Sequence, residues 1–162
     1  MAIMLAACGA TTTTFPPVGV TPRPAGDETA AIRKIVVDAL AGAGLQAVDA
    51  ARTYRPSEGA LLAAAPRTVL QVALPDDPTH GYVLLYALPS AAAASAAAAD
   101  QASYLATSIA KAYYPPGTAF VLRVQGSNVV FYSWLPANSP DARTPDIERV
   151  LRTIGSEVQV PD

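Results

Sequence analysis

The chain is poor in most of the residues that carry chemistry. Among 162 residues there is one cysteine and one histidine. A lone Cys excludes an internal disulfide, a Cys-rich zinc site and an iron–sulfur cluster. A lone His, His80 in the loop "DDPTHG", has no positioned nucleophile beside it in sequence and reads as a solvated loop residue. Asp76 and Asp77 precede it as ordinary turn formers, without the ligand spacing of an EF-hand. Charge is scarce too, at 15% of residues with a formal net charge of −2. No basic stripe exists to neutralise phosphates, which excludes nucleic acid as a partner. The chain has no G-x-S-x-G, Walker A or G-x-G-x-x-G pattern. Asp141, Asp146 and Glu148 lie at the start of the last helical segment, where the macrodipole favours acids without any catalytic role. No catalytic residue, metal or cofactor is expected.

What is present is apolar: 51% of residues are hydrophobic, many of them Ala, and there are 15 prolines. The longest small-apolar stretch, Ser90 to Tyr113, is interrupted by Asp100, Gln101 and Lys111. Ala is also too weakly apolar for this stretch to serve as a membrane span.

The only cysteine sits at position eight, in "LAAC", ahead of the Thr- and Pro-rich stretch "TTTTFPPVGVTPRPAG". Pro22 and Pro24 remove backbone donors, and the stretch has little to bury, so residues 9–26 are expected to form an extended tether. Leu5-Ala6-Ala7-Cys8 resembles the lipobox of bacterial lipoproteins: an aliphatic residue, two small residues and the cysteine that takes the lipid. The resemblance implies cleavage before Cys8, a diacylglyceryl group on its thiol, and anchoring on the extracytoplasmic side of the cell membrane, since several acyl chains hold where one does not. Residues 1–8 are then the remnant of a signal peptide. They lack the basic start and the 7–15 apolar residues of a complete one, so the true start is expected to lie upstream.

Residues 27–162 are expected to form one α+β domain. Asp27 opens a helix with Ile32, Val36 and Leu40 on one stripe, closed by Gly42 and Gly44. A strand over Ala47–Tyr54 and a short helix from Ser57 to Pro66 follow. Two hairpins then echo each other: Val69-Leu70-Gln71-Val72 matches Val121-Leu122-Arg123-Val124, and Leu88-Pro89 matches Leu135-Pro136. Each is followed by a helical segment. The expected architecture is a mainly antiparallel sheet of four to five strands, made from two hairpin–helix units and packed by helices.

Gly126-Ser127 predicts a type II′ turn, because Gly tolerates the positive φ of its first central position. That turn pairs Val124 with Val129, Leu122 with Phe131, Arg123 with Val130, Val121 with Tyr132 and Ala119 with Trp134. Carried through the echo, it puts Leu70, Val72, Leu84 and Tyr86 on one sheet face. Gln71, Leu85, Arg123, Val121, Val130, Tyr132 and Trp134 fall on the other. The first face is core. The second, rich in aromatic and Arg side chains, is either a ligand groove or docking surface, or a second core layer if the first helix covers it. Two functional readings follow: a non-catalytic binding or interaction module held by lipid at Cys8, or a small apolar-ligand carrier or accessory subunit using the face around Arg123, Tyr132 and Trp134. The expected partners are the membrane, through the anchor, and a protein or small ligand.

Overall fold

A computed structural model describes residues 26–161; Cys8, the lipobox-like stretch and nearly all of the expected tether lie outside them. The described chain folds as α+β around one antiparallel sheet. The helices are α1 (Ala30–Gly42), α2 (Ala60–Ala64), α3 (Ala91–Leu105), α4 (Ser108–Tyr113) and α5 (Thr144–Leu151). The strands are β1 (Ala47–Asp49), β2 (Arg67–Val72), β3 (Tyr82–Ala87), β4 (Ala119–Gln125), β5 (Asn128–Trp134) and β6 (Ser156–Glu157). In space they run β1-β2-β3-β5-β4-β6. The sheet therefore has six strands rather than four or five. The addition is β6, only two residues long and too short to leave a periodic signal.

The second hairpin has the expected register, with Val124 opposite Val129 and Ala119 opposite Trp134. Gly126 takes φ +58°, and no non-glycine residue among those described has positive φ, so Ser127 does not and the turn is II′ rather than I′. The first hairpin breaks the echo. Val69 pairs with Leu84 and Leu70 with Val83, so β2 is turned over relative to the expectation. Val69 stands 19 residues before Leu88, whereas Val121 stands 14 before Leu135. The difference is odd, and side chains alternate with period two, so matching sequences face opposite ways. The helices after the two hairpins also go to opposite faces of the sheet.

Both faces are core. On one, α2 and α3 cover Leu84, Tyr86, Leu122, Val129 and Phe131. Ala94, Ala97, Ala98 and Ala102 turn towards the sheet, where small side chains allow close approach. On the other, α1 and α5 cover Leu70, Val72, Val83, Leu85, Val121, Val130 and Tyr132 with Ile32, Val36, Leu40, Ile147 and Leu151. The apolar stripe of α1 and its glycine stop are as expected: Gly44 takes φ +77°, and the Leu45 N–H donates to Leu40 O at 2.9 Å.

The long Ala-rich helix is broken. The Ser90 hydroxyl caps α3 by accepting from Ala93 N at 3.1 Å, but Thr107 starts a new helix by accepting from Ala110 N at 3.2 Å. The change of axis turns Ile109 and Tyr113 outward, 65% and 69% exposed, instead of extending the stripe of Leu105. No helix among the described residues is long and apolar enough to cross a membrane.

The strand expected over Ala47–Tyr54 stops at Asp49, and the short helix starts at Ala60 rather than at Ser57. The intervening segment brings Glu58 inward to Arg67. Its Oε1 lies 2.5 Å from Arg67 Nη1, with the two side chains 1% and 8% exposed, and it also accepts the Tyr86 hydroxyl. Gly59 N donates to Gln101 Oε1 at 2.7 Å, tying the same segment to α3.

Candidate functional site

The sheet face expected to bind is roofed by α1 and α5. Val121, Val130, Leu85 and Tyr132 are at most 1% exposed. Arg123 is also buried, and its guanidinium is spent on the backbone: Nε donates to Ile154 O and Nη2 to Gly155 O, each at 2.7 Å. Gln71 belongs to the opposite face, because β2 is turned over; it pairs with Tyr82 in β3 and its amide donates to Pro78 O at 2.9 Å. Of the seven residues grouped there by sequence, Tyr132 and Trp134 line a cavity at the end of β5, and Gln71 lines a separate one beside β1 with Val48 and Leu74. The Trp134 indole N–H donates to Glu148 Oε2 at 2.7 Å.

The acids of the last helix are engaged in structure. Asp141 is buried and accepts from Arg143 Nη2 at 2.6 Å and from Asp76 N at 3.2 Å. The Arg143 hydrogen bonds hold its carboxyl well below the usual carboxylate range. Asp146 pairs with Arg149, and Glu148 with Arg152. His80 hydrogen-bonds through Nδ1 to Asp77. Among the described residues, no group of three or more His, Cys, Asp or Glu is placed to hold a metal ion.

A larger cleft, of 620 Å³, lies elsewhere, where the C-terminal segment leaves the β4 edge. Val158 N still donates to Leu122 O at 3.0 Å, but the regular pairing of β6 with β4 ends at Glu157 and Arg123. From there residues 158–161 form one wall and Pro115–Thr118 the other. Leu105, Tyr114 and Phe120 lie between them. The Tyr114 and Phe120 rings meet edge to face at 5.1 Å, and Phe120 continues to Phe131 at 6.4 Å, so this apolar surface is an extension of the core. The Tyr114 hydroxyl donates to Ser57 O at 2.7 Å. Burial, with the nearby Tyr54, Glu58 and Tyr104, pushes its pKa well up, so it stays neutral.

Two cations line the cleft. Arg152 is committed, to Glu148 at 2.9 Å and to Glu157 at 2.7 Å. Lys111 is exposed on α4 and has no carboxylate within ion-pair distance among the described residues. The cleft therefore offers aromatic and aliphatic walls, a size within the range of small-molecule pockets, and one uncommitted ammonium.

Sequence reasoning missed this site because its walls come from two prolines, a turn and a C-terminal tail with no periodicity. Tyr113-Tyr114 was the available signal: a pair before Pro115 in which one ring turns inward, here Tyr114, while Tyr113 stays exposed. Comparison of the chain with family models, with curated proteins and with solved structures found no match.

Proposed function

We propose that the chain is a non-catalytic binding module of the bacterial cell envelope, anchored by lipid at Cys8, whose β4-edge cleft takes a small amphiphile with an anionic head. The observation that carries the binding reading is the cleft itself: a 620 Å³ space floored by Leu105, Tyr114 and Phe120 with Lys111 at its margin. An apolar tail would gain roughly 25 cal/mol per Å² removed from water, and the ammonium selects the charge of the head. This keeps the small apolar-ligand reading but moves it from the Arg123, Tyr132 and Trp134 face, which is core, to the sheet edge. The lipid anchor rests on the Leu5-Ala6-Ala7-Cys8 motif and the proline-rich stretch behind it.

Two measurements test these parts separately. Dansyl-undecanoate is expected to bind saturably and to be displaced by dodecanoate better than by dodecanol. Lys111→Glu should weaken it about tenfold, roughly 1.4 kcal/mol, with unfolding unchanged because the side chain is exposed. Equal displacement by acid and alcohol, or an unaffected Lys111→Glu, removes the anionic-head reading. Expressed in a bacterium with its upstream codons, the protein should incorporate labelled palmitate and lose the label in Cys8→Ala. An unlabelled product recovered away from the membrane removes the anchor.

A further inference from the structure

A second cavity lies at the end of the sheet, where the two central strands part. The β3–β5 ladder begins at Val83 opposite Tyr132, while β5 continues alongside β4 as far as Trp134 opposite Ala119. The chain before β3 peels away at Gly81, whose φ of +82° and approach to the Val72 carbonyl leave no room for a Cβ, which would sit 2.9 Å from that oxygen. The resulting notch measures 220 Å³, with Tyr54, His80, Tyr82, Tyr132, Trp134 and Thr144 among its walls.

Two of those walls carry an unmet demand. The hydroxyls of Tyr132 and Thr144 are buried and have no hydrogen-bond partner among the described residues, and both residues are 1% exposed. A buried hydroxyl without a partner is destabilising, and native structures rarely leave one so. Burial, with Glu148, Asp77 and Tyr54 nearby, pushes the Tyr132 pKa up, so it is a neutral hydroxyl able to donate and to accept. The aromatic walls are held by contacts of their own. Tyr54 and Tyr82 stack with centroids 4.3 Å apart and planes 10° from parallel. Trp134 is fixed by its bond to Glu148. His80 is tied to Asp77 through Nδ1, which leaves Nε2 uncommitted. No Asp, Glu, Lys or Arg lines the notch.

We infer that this notch is a binding site for a single neutral hydroxylated ring of monosaccharide size. The volume falls below the ~300 Å³ where drug-sized pockets begin, so one ring fills it. The lining lacks a fixed charge to balance an ion. Both hydroxyls are closed to water in the free protein, so the ring must displace the surface over them for its own hydroxyls to satisfy Tyr132 and Thr144, while its C–H faces pack on Tyr and Trp surfaces. The notch shares Pro115 with the β4-edge cleft, but Tyr132 and Thr144 do not line that cleft.

The test uses the chain's single tryptophan. Glucose, galactose, mannose and N-acetylglucosamine are titrated while Trp134 fluorescence and the Thr144 amide resonance are followed, with glycerol and phenol as controls. At least one sugar should saturate both signals, and glycerol should move neither. Tyr132→Phe and Thr144→Val should each weaken that sugar about tenfold. Both should leave the melting temperature of the free protein unchanged or raised, because each removes a group with no partner. The inference is overturned if no sugar saturates at tens of millimolar, if phenol binds as well as the best sugar, or if either variant binds as tightly as the parent. A lowered melting temperature in Tyr132→Phe, showing that the hydroxyl already had a partner, overturns it as well. Dansyl-undecanoate affinity should be the same in both variants.

Discussion

Arg67→Met should destabilise the domain by about 3–5 kcal/mol, the cost of leaving one partner of a buried ion pair alone. The pair joins β2 to the segment before α2. Arg67 stands opposite Tyr86 in the β2–β3 ladder, and both the guanidinium and the Tyr86 hydroxyl approach Glu58 Oε1. Burial, reinforced by the Glu58 charge, pushes the Tyr86 pKa well above its ordinary value, so Tyr86 can donate to the carboxylate but cannot replace the missing positive charge. Glu58 Oε2 has no partner among the described residues, so the carboxylate depends on Arg67 for its charge. A loss of this size is a large part of the 5–15 kcal/mol that holds an ordinary domain together. The double variant Glu58→Leu with Arg67→Met should recover part of it, because an apolar pair has no desolvation cost to repay, while the buried Tyr86 hydroxyl loses its acceptor. Urea unfolding of the two singles and the double measures the coupling. A single-variant loss below about 1 kcal/mol would mean that the pair is solvated and behaves as a surface bridge.

Arg123→Ala separates the two readings of the same residue. As an anchor on an open face, it could be truncated at a cost within about 0.5 kcal/mol. As the buried clamp described above, it should cost about 3 kcal/mol, because hydrogen bonds from a charged donor are worth ~1.5–3 kcal/mol each and two are lost. The clamp closes the turn after α5. There Gly155 takes φ +55°, and a Cβ would lie 2.2 Å from the Val124 carbonyl oxygen. Releasing the turn should loosen β6 and the segment after it. The Val158 amide, bonded to Leu122 O, should exchange faster with deuterium than amides of β3 and β5. Since that segment is a wall of the β4-edge cleft, dansyl-undecanoate binding should weaken in the same variant. An Arg123→Ala protein with parental stability and unchanged Val158 exchange would contradict the clamp.

The parts of the fold that were legible in the sequence are those set by local rules. Ile32, Val36 and Leu40 repeat at helical spacing, and Gly44 can take the left-handed cap. Gly126 at the first central position of its turn sets the register of β4 on β5, because only a residue without Cβ accepts that φ at little cost. Ser90 and Thr107 each cap a helix, and only the packed structure shows the second one interrupting a run of good helix formers.

One residue of the candidate face was misplaced for a reason of parity. An odd difference in spacing turned β2 over and put Gln71 on the wrong side. Whether the side holding Arg123, Val121, Val130, Leu85 and Tyr132 is open depends on where α1 and α5 dock. Residues a hundred positions apart settle that by burying apolar area against one another. The same holds for both cavities. The β4-edge cleft exists because the C-terminal segment leaves β4 after two paired residues, and the notch exists because β3 starts later than β5 ends. Periodicity, turn chemistry and capping thus determined the elements and one hairpin register by themselves. Only tertiary packing decided which faces are buried, which charges are paired and where empty space remains, since each depends on contacts between segments distant in sequence.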